Sequence, residues 1–327
     1  MMKGSPRPSL LGVIPWTRLI CMSFMALFLA ACSADLKEPE PDPNPVDSIP
    51  TIPSSTSIME LSTGDTRIRK SDGMETVYVP GGEFLMGSDQ AEVDYALSLC
   101  QAYDTNCSRR YFSVEQPQHL VQLSSFWLDR TEVTIGQYDG CMDAGICEKI
   151  SCEDTGDADR DKLPAICVNW HQAAAYCQWV GARLPTEAEW EYGARGVDDR
   201  RYPWGDDIDR SRLNYCDANC ELPKRNDAVD DSYSQTAPVG SYPDGASWIG
   251  ALDMSGNVWE WTADWFGEYS SERQTDPAGP DTGGRKVVRG GSWHTSADHA
   301  RSALRTYSDP ELSSNHVGFR CAMSDKN

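Results

Sequence analysis

The second half of this chain leaves little room for long helices or strands. After residue 195, Gly, Asp, Pro and Ser dominate, and these residues favour turns over regular elements. Short apolar runs predict strands at 237–242, 258–261, 286–290 and 318–322. Gly and Pro contribute 26 and 20 of the 327 residues. We therefore predict an α+β domain with little regular secondary structure.

Local signals are clearer before that point. Two apolar runs within 77–87 flank a Pro-Gly-Gly turn and predict a hairpin, and 119–128 predicts a second strand pair. Three short helices are also predicted from their caps: Thr134 before 135–143, Asn169 and Gly181 around 171–180, and a capping box of Thr186 and Glu189.

The first residues have the pattern of a secretory signal, 1–31. An apolar run, too short for a comfortable membrane span, ends in Leu-Ala-Ala-Cys. This ending resembles the bacterial lipobox and predicts export and lipidation of Cys32, and Ser33 favours the outer membrane. An ordinary signal peptide with a chance cysteine is the alternative. The Pro-rich segment 32–58 is then an extended tether to one domain, 59–327.

The charge balance argues against a nucleic-acid partner. The formal net charge is −21, and such an acidic surface repels a phosphate backbone. Within the domain, the cysteines indicate disulfides, because an exported chain with an even number of them usually pairs them. Spacing alone leaves the pairs undefined. Cys216 and Cys220 are close enough to be a metal-ligand pair, but no second pair or nearby His accompanies them.

Seven short motifs follow one another along 74–324. They are GGEFLMG at 81–87, EVT at 132–134, RLPTEAEWEY at 183–192, YPWG at 202–205, GNVWEW at 256–261, RGGS at 289–292 and GFR at 318–320. Together they resemble the sulfatase-modifying-factor family, whose type member is the formylglycine-generating enzyme. The resemblance implies a single domain related to the C-type-lectin-like core, and a disulfide between Cys177 and Cys321.

The resemblance also implies an active site that this chain lacks. The family's enzyme oxidises a cysteine of its target sulfatase, with Cu(I) held by two thiolates shortly after RGGS. Here the first position is Thr295 and the second falls near Ala300. Thiolates select Cu(I), whereas a hydroxyl and a methyl group do not. We therefore expect neither copper nor the oxidase activity.

Calcium is a better expectation, because the family has two structural Ca²⁺ sites and hard cations prefer oxygen ligands. The corresponding residues keep oxygen chemistry. They are Asn214, Tyr215, Asp231 and Tyr233 for one site, and Asp253, Gly256, Val258 and Glu260 for the other, with the Tyr, Gly and Val residues contributing carbonyls.

The loop after RGGS also supplies candidate binding residues: Ser292, Trp293, His294 and His299. The two imidazoles suit a transition metal, or they are simply surface or hydrogen-bonded histidines. The framework without thiolates predicts a binding or structural module for a protein, peptide or glycan. The alternative is an enzyme of the family, as a formylglycine-generating oxidase or with other oxygen or metal chemistry in the same pocket.

Overall fold

The computed structural model describes residues 60–152, 159–222 and 225–325. The predicted signal, Cys32 and the whole of the tether lie outside these residues. Within them the chain forms four α-helices and eleven strands. The helices are α1 (Gln90–Tyr103), α2 (Ile135–Asp143), α3 (Trp170–Trp179) and α4 (Glu187–Arg195). None of the helices in the described part is long and apolar enough to cross a bilayer.

The strands are short and form three sheets. Strands β1 (Thr66–Ile68), β2 (Glu75–Val79), β5 (Phe126–Asp129) and β11 (Ala322–Ser324) form one sheet in that order. Strands β10 (Val317–Gly318), β6 (Trp259–Trp265), β8 (Lys286–Arg289) and β9 (Arg305–Ser308) form the second. Strands β3 (Gly82–Met86), β4 (His119–Leu123) and β7 (Gln274–Thr275) form the third. The α+β prediction is confirmed.

The two predicted hairpins are wrong, although their strands exist. Strand β2 pairs with β5, and β3 pairs with β4, so each turn connects strands of different sheets. Gly81 lies at such a crossing, where a Cβ atom would lie 2.9 Å from the Leu123 carbonyl oxygen. The chain changes sheets there because its backbone passes against another strand, which only glycine permits. The strand predicted at 237–242 is absent as well.

Three of the helices begin where their caps predict. Thr134, Asn169 and Thr186 each accept a hydrogen bond from the N3 amide of their helix, and each helix completes a capping box. Helix α1 was not predicted. Its N-cap is Asp89, but only three of its residues are buried, so its apolar pattern is weak.

All ten cysteines of the domain form disulfides. The predicted bond between Cys177 and Cys321 ties α3 to the segment before β11. The other pairs are local: Cys100–Cys107, Cys141–Cys147, Cys152–Cys167 and Cys216–Cys220. Cys216 and Cys220 are therefore joined by a disulfide and are not the metal-ligand pair that the sequence left open.

Candidate functional site

The candidate site is the loop 290–300, which follows β8. Gly290 and Gly291 have φ angles of 100° and 78°, in the region that favours glycine. A Cβ atom on Gly291 would lie 2.8 Å from the His299 carbonyl oxygen. The start of the loop at Gly291 therefore packs against its end at His299.

Thr295, which we predicted to stand at the first family thiolate position, has a hydroxyl that is used within the loop. Thr295 Oγ1 accepts a hydrogen bond from the Ser292 amide and donates one to the Ser292 carbonyl, each at 3.0 Å. Its own carbonyl accepts from the Cys216 amide at 3.0 Å. Ala300 is buried, and its carbonyl accepts from Ser255 Oγ at 2.6 Å. Neither residue offers a free reactive group.

A cavity of about 510 Å³ opens beside this loop, and we call it the loop cavity. One side consists of Thr295, Ser296, Asp298 and His299 from the loop. The opposite side comes from the end of α1 and the segment that the Cys100–Cys107 disulfide ties to it. The further lining residues of the cavity are Tyr103, Asp104, Tyr111, Phe112, Trp259, Leu304, Arg305 and Thr306. The sequence analysis did not predict the side formed by α1, because it did not predict that helix.

Asp298 and His299 form an acid–imidazole pair in the loop cavity. Asp298 is buried, and its Oδ1 accepts a 2.5 Å hydrogen bond from Ser296 Oγ. Its Oδ2 lies 3.4 Å from His299 Nδ1, an ion-pair contact longer than a good hydrogen bond. Burial opposes the charge on Asp298, but contacts from His299 and Ser296 hold its pKa below the usual range. His299 is 40% exposed, and its ring packs edge-on against Trp259.

The other binding candidates lie elsewhere. Ser292 is buried, and its Oγ accepts a hydrogen bond from the His294 amide. Trp293 is a core residue whose indole donates to the Asn315 carbonyl. His294 stacks on His316 with ring centroids 5.1 Å apart, and it does not line the loop cavity. The imidazoles of His294 and His299 are therefore not brought together as one ligand pair there.

Comparison with known proteins identifies the framework around this loop. Residues 63–325 match the family described as sulfatase-modifying factor enzyme 1-like domain, which is most of the chain. The chain belongs to this family. The seven motifs of the sequence lie within the matched range.

Three similar proteins illustrate the range of the sulfatase-modifying factor family. The formylglycine-generating enzyme of Thermomonospora curvata is 42% identical over 174 residues, which cover 50% of this chain and 56% of that enzyme. The inactive C-alpha-formylglycine-generating enzyme 2 of Mus musculus is 38% identical over 176 residues, 52% of each chain. The chain thus spans about half the length of these curated relatives. PvdO from Pseudomonas aeruginosa has a TM-score of 0.63 and 25% identity, over 81% of this chain and 100% of PvdO.

The copper site of the family enzyme does not fit the residues found here. The described part of the chain has no cluster of three or more His, Cys, Asp or Glu side chains that could hold a metal ion. The sulfur atoms that line the loop cavity belong to Cys100 and Cys107, and their disulfide excludes them as thiolate ligands.

The first calcium candidate contains one unsatisfied oxygen. The Asn214 amide nitrogen donates to the Gln235 carbonyl, and its buried Oδ1 has no hydrogen-bond partner. Both carboxylate oxygens of Asp231 accept hydrogen bonds, from the Tyr233 amide at 2.9 Å and from the Tyr242 hydroxyl at 2.8 Å. Burial, reinforced by neighbouring Asp217, still raises the pKa of Asp231 to about 6. Amide and carboxylate oxygens are the kind of ligands that Ca²⁺ takes.

The second calcium candidate is already partly compensated. Both carboxylate oxygens of Glu260 accept 2.7 Å hydrogen bonds from Arg320. Burial and the nearby carboxylates of Asp253 and Glu260 raise the pKa of Glu132 well above its usual range, and Glu132 Oε2 has no hydrogen-bond partner. Burial also raises the pKa of Asp253. A bound cation would therefore stabilise the ionised forms of Asp253 and Glu132 more than that of Glu260, which Arg320 already pairs with.

Proposed function

We propose that this protein is a catalytically degenerate member of the sulfatase-modifying factor family that serves as a binding or structural module. The observation that supports this most is the state of the two thiolate positions. Thr295 uses its hydroxyl to close the loop onto Ser292, and Ala300 contributes only a methyl group. The framework around them is intact, so the chain keeps the shape of the family's domain without the ligands of its chemistry.

The loop cavity is the binding site in this proposal. Tyr111 is 68% exposed at its rim, and Trp259 and Phe112 form buried walls. Asp298 and His299 add polar groups on the opposite side. Aromatic walls with a few oriented polar groups suit a peptide or glycan segment, because they bury flat apolar faces and pair hydroxyl or amide groups at the same time.

The location follows from the predicted anchor. Lipidation at Cys32 would hold the protein at a bacterial membrane, with the outer membrane favoured by Ser33, and the tether 32–58 would keep the domain away from the bilayer. Calcium at the Asn214 and Asp231 site would be structural in this proposal. The partner is a protein, peptide or glycan of the envelope.

Site-specific photo-crosslinking tests the binding proposal in the producing cell. A photoreactive amino acid replaces Tyr111 at the cavity rim in the full chain. The control has the same residue at Ile146, which is 55% exposed and does not line the loop cavity. We expect a discrete crosslinked species at position 111 that His299→Ala weakens. Equal crosslinking at 111 and 146, or none at 111, contradicts the proposal.

The oxidase alternative has a direct test of its own. The full chain is incubated with copper, oxygen and a Cys-x-Pro-x-Arg peptide, and the peptide mass is followed. The formylglycine-generating enzyme of Thermomonospora curvata is the positive control. We expect no conversion, because the donor atoms for Cu(I) are missing. Conversion to formylglycine would overturn the proposal.

The Asp298 and His299 pair favours one other candidate function, acid–base catalysis in the loop cavity. Asp298 Oδ2, which has no hydrogen-bond partner, lies 3.4 Å from His299 Nδ1, so the carboxylate stands beside one ring nitrogen and Nε2 is the other. General bases use a carboxylate and an imidazole in this way when the contact shortens to a hydrogen bond. Hydrolysis of p-nitrophenyl acetate offers a simple readout. This candidate requires the rate to fall in His299→Gln and not in His171→Gln, whose imidazole lies on the surface beside Glu311. Equal rates for both variants rule against it.

A further inference from the structure

A second cavity has a volume of about 520 Å³ and shares Arg305 with the lining of the loop cavity. It is bordered by the start of β4, the first turn of α4 and the segment 264–280, and we call it the proline-loop cavity. The guanidinium of Arg305 is held by Glu187 at 2.7 and 2.8 Å and by the Gly267 carbonyl at 2.8 Å. The charge of Arg305 is therefore largely compensated within the protein.

The proline-loop cavity contains a buried carboxyl group that is only half satisfied. Asp264 is 4% exposed, and its Oδ2 accepts a 2.7 Å hydrogen bond from the Glu187 amide at the start of α4. Within the described residues, Oδ1 accepts no hydrogen bond, and Asp264 has no ion-pair partner. Burial, followed by the charges of Glu187 and Glu189, raises the pKa of Asp264 to about 7, against a smaller opposing effect of Lys286.

The cations near Asp264 are committed to other groups. Arg305 and Arg289 both bind Glu187. Lys286 donates to the Ala263 carbonyl at 2.7 Å, and its ammonium lies over the rings of Trp170 and Trp265, at 4.0 and 3.9 Å. Burial lowers the pKa of Lys286 to about 8, which weakens it further as a counter-ion. Arg183, which also interacts with Asp264, is bound by Glu189. Within the described residues no uncommitted cation is therefore left for Asp264.

Other acceptors lie in the cavity lining, and the guanidinium of Arg305, which also lines it, is already paired with Glu187. His119 Nδ1 lies 3.1 Å from the Pro117 carbonyl, which can only accept, so Nδ1 is the donor, and Nε2 is an acceptor in the tautomer that carries its single proton on Nδ1. Glu268 is an exposed carboxylate at the rim. Trp265 and Tyr269 supply aromatic surface. The unsatisfied carboxyl oxygen of Asp264, the further acceptors and the aromatic rings favour a ligand that donates hydrogen bonds and is positively charged.

We propose that the proline-loop cavity is a second binding site, for a small ligand or side chain with a primary ammonium group. Its three N–H donors match the acceptors Asp264 Oδ1, His119 Nε2 and Glu268, and the cavity volume accommodates a group of lysine size. This site does not depend on the loop cavity or on the family's chemistry.

Calorimetry on the full chain in detergent tests the site with two lysine derivatives. The probe is Nα-acetyl-lysine methylamide, and its matched neutral form is Nα,Nε-diacetyl-lysine methylamide. We expect saturable binding of the first and none of the second. Affinity for the charged probe rises about tenfold between pH 6 and pH 8, because Asp264 ionises over this range while the ammonium stays charged. Equal binding of both probes, or no binding of either, overturns the proposal.

Two variants and one control locate the binding. Asp264→Asn keeps an acceptor for the Glu187 amide but removes the charge, so we expect about tenfold weaker binding and loss of the pH dependence. Glu268→Gln, at the exposed rim, weakens binding by about two- to threefold and leaves the pH dependence in place. The control is Asp281→Asn, an exposed acid beyond the cavity lining, which leaves binding unchanged. Unchanged affinity in both Asp264→Asn and Glu268→Gln would refute the assignment.

Discussion

The guanidinium of Arg320 forms two 2.7 Å hydrogen bonds with the carboxylate of Glu260, and both side chains are completely buried. Arg320 also donates to the Leu252 carbonyl, so one residue of the GFR motif connects β6 to the loop before it. Glu260 is also one of the residues of the second calcium candidate. Its burial explains why the framework motifs of this family include charged residues in the core.

Removing Arg320 should strongly destabilise the fold. Arg320→Met leaves Glu260 as a buried carboxylate without its partner, and we expect a loss of about 3–5 kcal/mol in the free energy of unfolding. The control is Arg130→Met, because Arg130 pairs with Glu75 at 2.6 Å but with both side chains more than a third exposed. That change should have an effect of about 0–1 kcal/mol. Urea unfolding measures both, and equal losses would contradict the argument.

The Cys177–Cys321 disulfide should stabilise the domain more than a local one. Its cysteines are 144 residues apart, whereas Cys141 and Cys147 are separated by 6. Cross-linking restricts the unfolded chain more when the loop is long, which predicts losses of about 5 and about 2 kcal/mol for the respective double alanine variants. Urea unfolding midpoints with matched slopes test this order. A larger loss of stability in the Cys141 and Cys147 double variant would contradict the prediction.

Calcium should stabilise the protein through Asp231. At calcium about 100-fold above Kd, we expect about 3 kcal/mol of added stability, seen as a higher Tm that a chelator reverses. The effect should weaken below about pH 6, because the pKa of Asp231 is about 6 and the ligand must be ionised. Asp231→Asn should abolish most of the shift, and exposed Asp244→Asn should retain it. A shift that survives Asp231→Asn would place calcium elsewhere.

Helix positions were predictable from the sequence because their signals are local. Thr134, Asn169 and Thr186 each interact with a residue three positions later, so a short window contains the whole motif. Strand partners were not predictable in this way. Strand β2 pairs with β5, about fifty residues away, and not with adjacent β3, although all three strands bury side chains in the same core cluster. Their apolar pattern therefore predicts burial but not the strand partner.

The candidate site was only partly predictable for the same reason. The motifs drew attention to the loop 290–300, and the absence of the family's thiolates there stays a prediction from the sequence. The opposing wall of the loop cavity comes from α1, whose pattern is weak, and the stacking of His294 on His316 joins positions that no motif connects. Asp264 had no signal in the sequence, because its chemistry depends on burial and on the amide of Glu187.

Asp264 should make stability depend on pH. Its pKa is about 7 in the folded state and 3.8 in the reference state, so the folded form favours the protonated group. That stability is present below about pH 4 and is lost as the pH rises through about 7. Asp264→Asn should therefore be more stable than the parent at pH 8, by up to about 4 kcal/mol, and similar to it near pH 4. Thermal unfolding of Asp264→Asn and the parent from pH 4 to pH 8 measures this, with Asp281→Asn as control. A difference in stability between Asp264→Asn and the parent that stays the same at every pH would contradict the prediction.

Thr295 allows a test of what holds the loop 290–300 in place, because its hydroxyl hydrogen-bonds to the backbone of Ser292. Thr295→Ser keeps both hydrogen bonds with Ser292 and should unfold close to the parent. Thr295→Val removes them and leaves the Ser292 amide unpaired, for an expected loss of about 1–3 kcal/mol. The matched control is Thr306→Val, whose hydroxyl lines the same cavity and makes no hydrogen bond within the described residues. If Thr295→Val unfolds like Thr306→Val, the hydroxyl is free, and its place in a reactive site would have to be reconsidered.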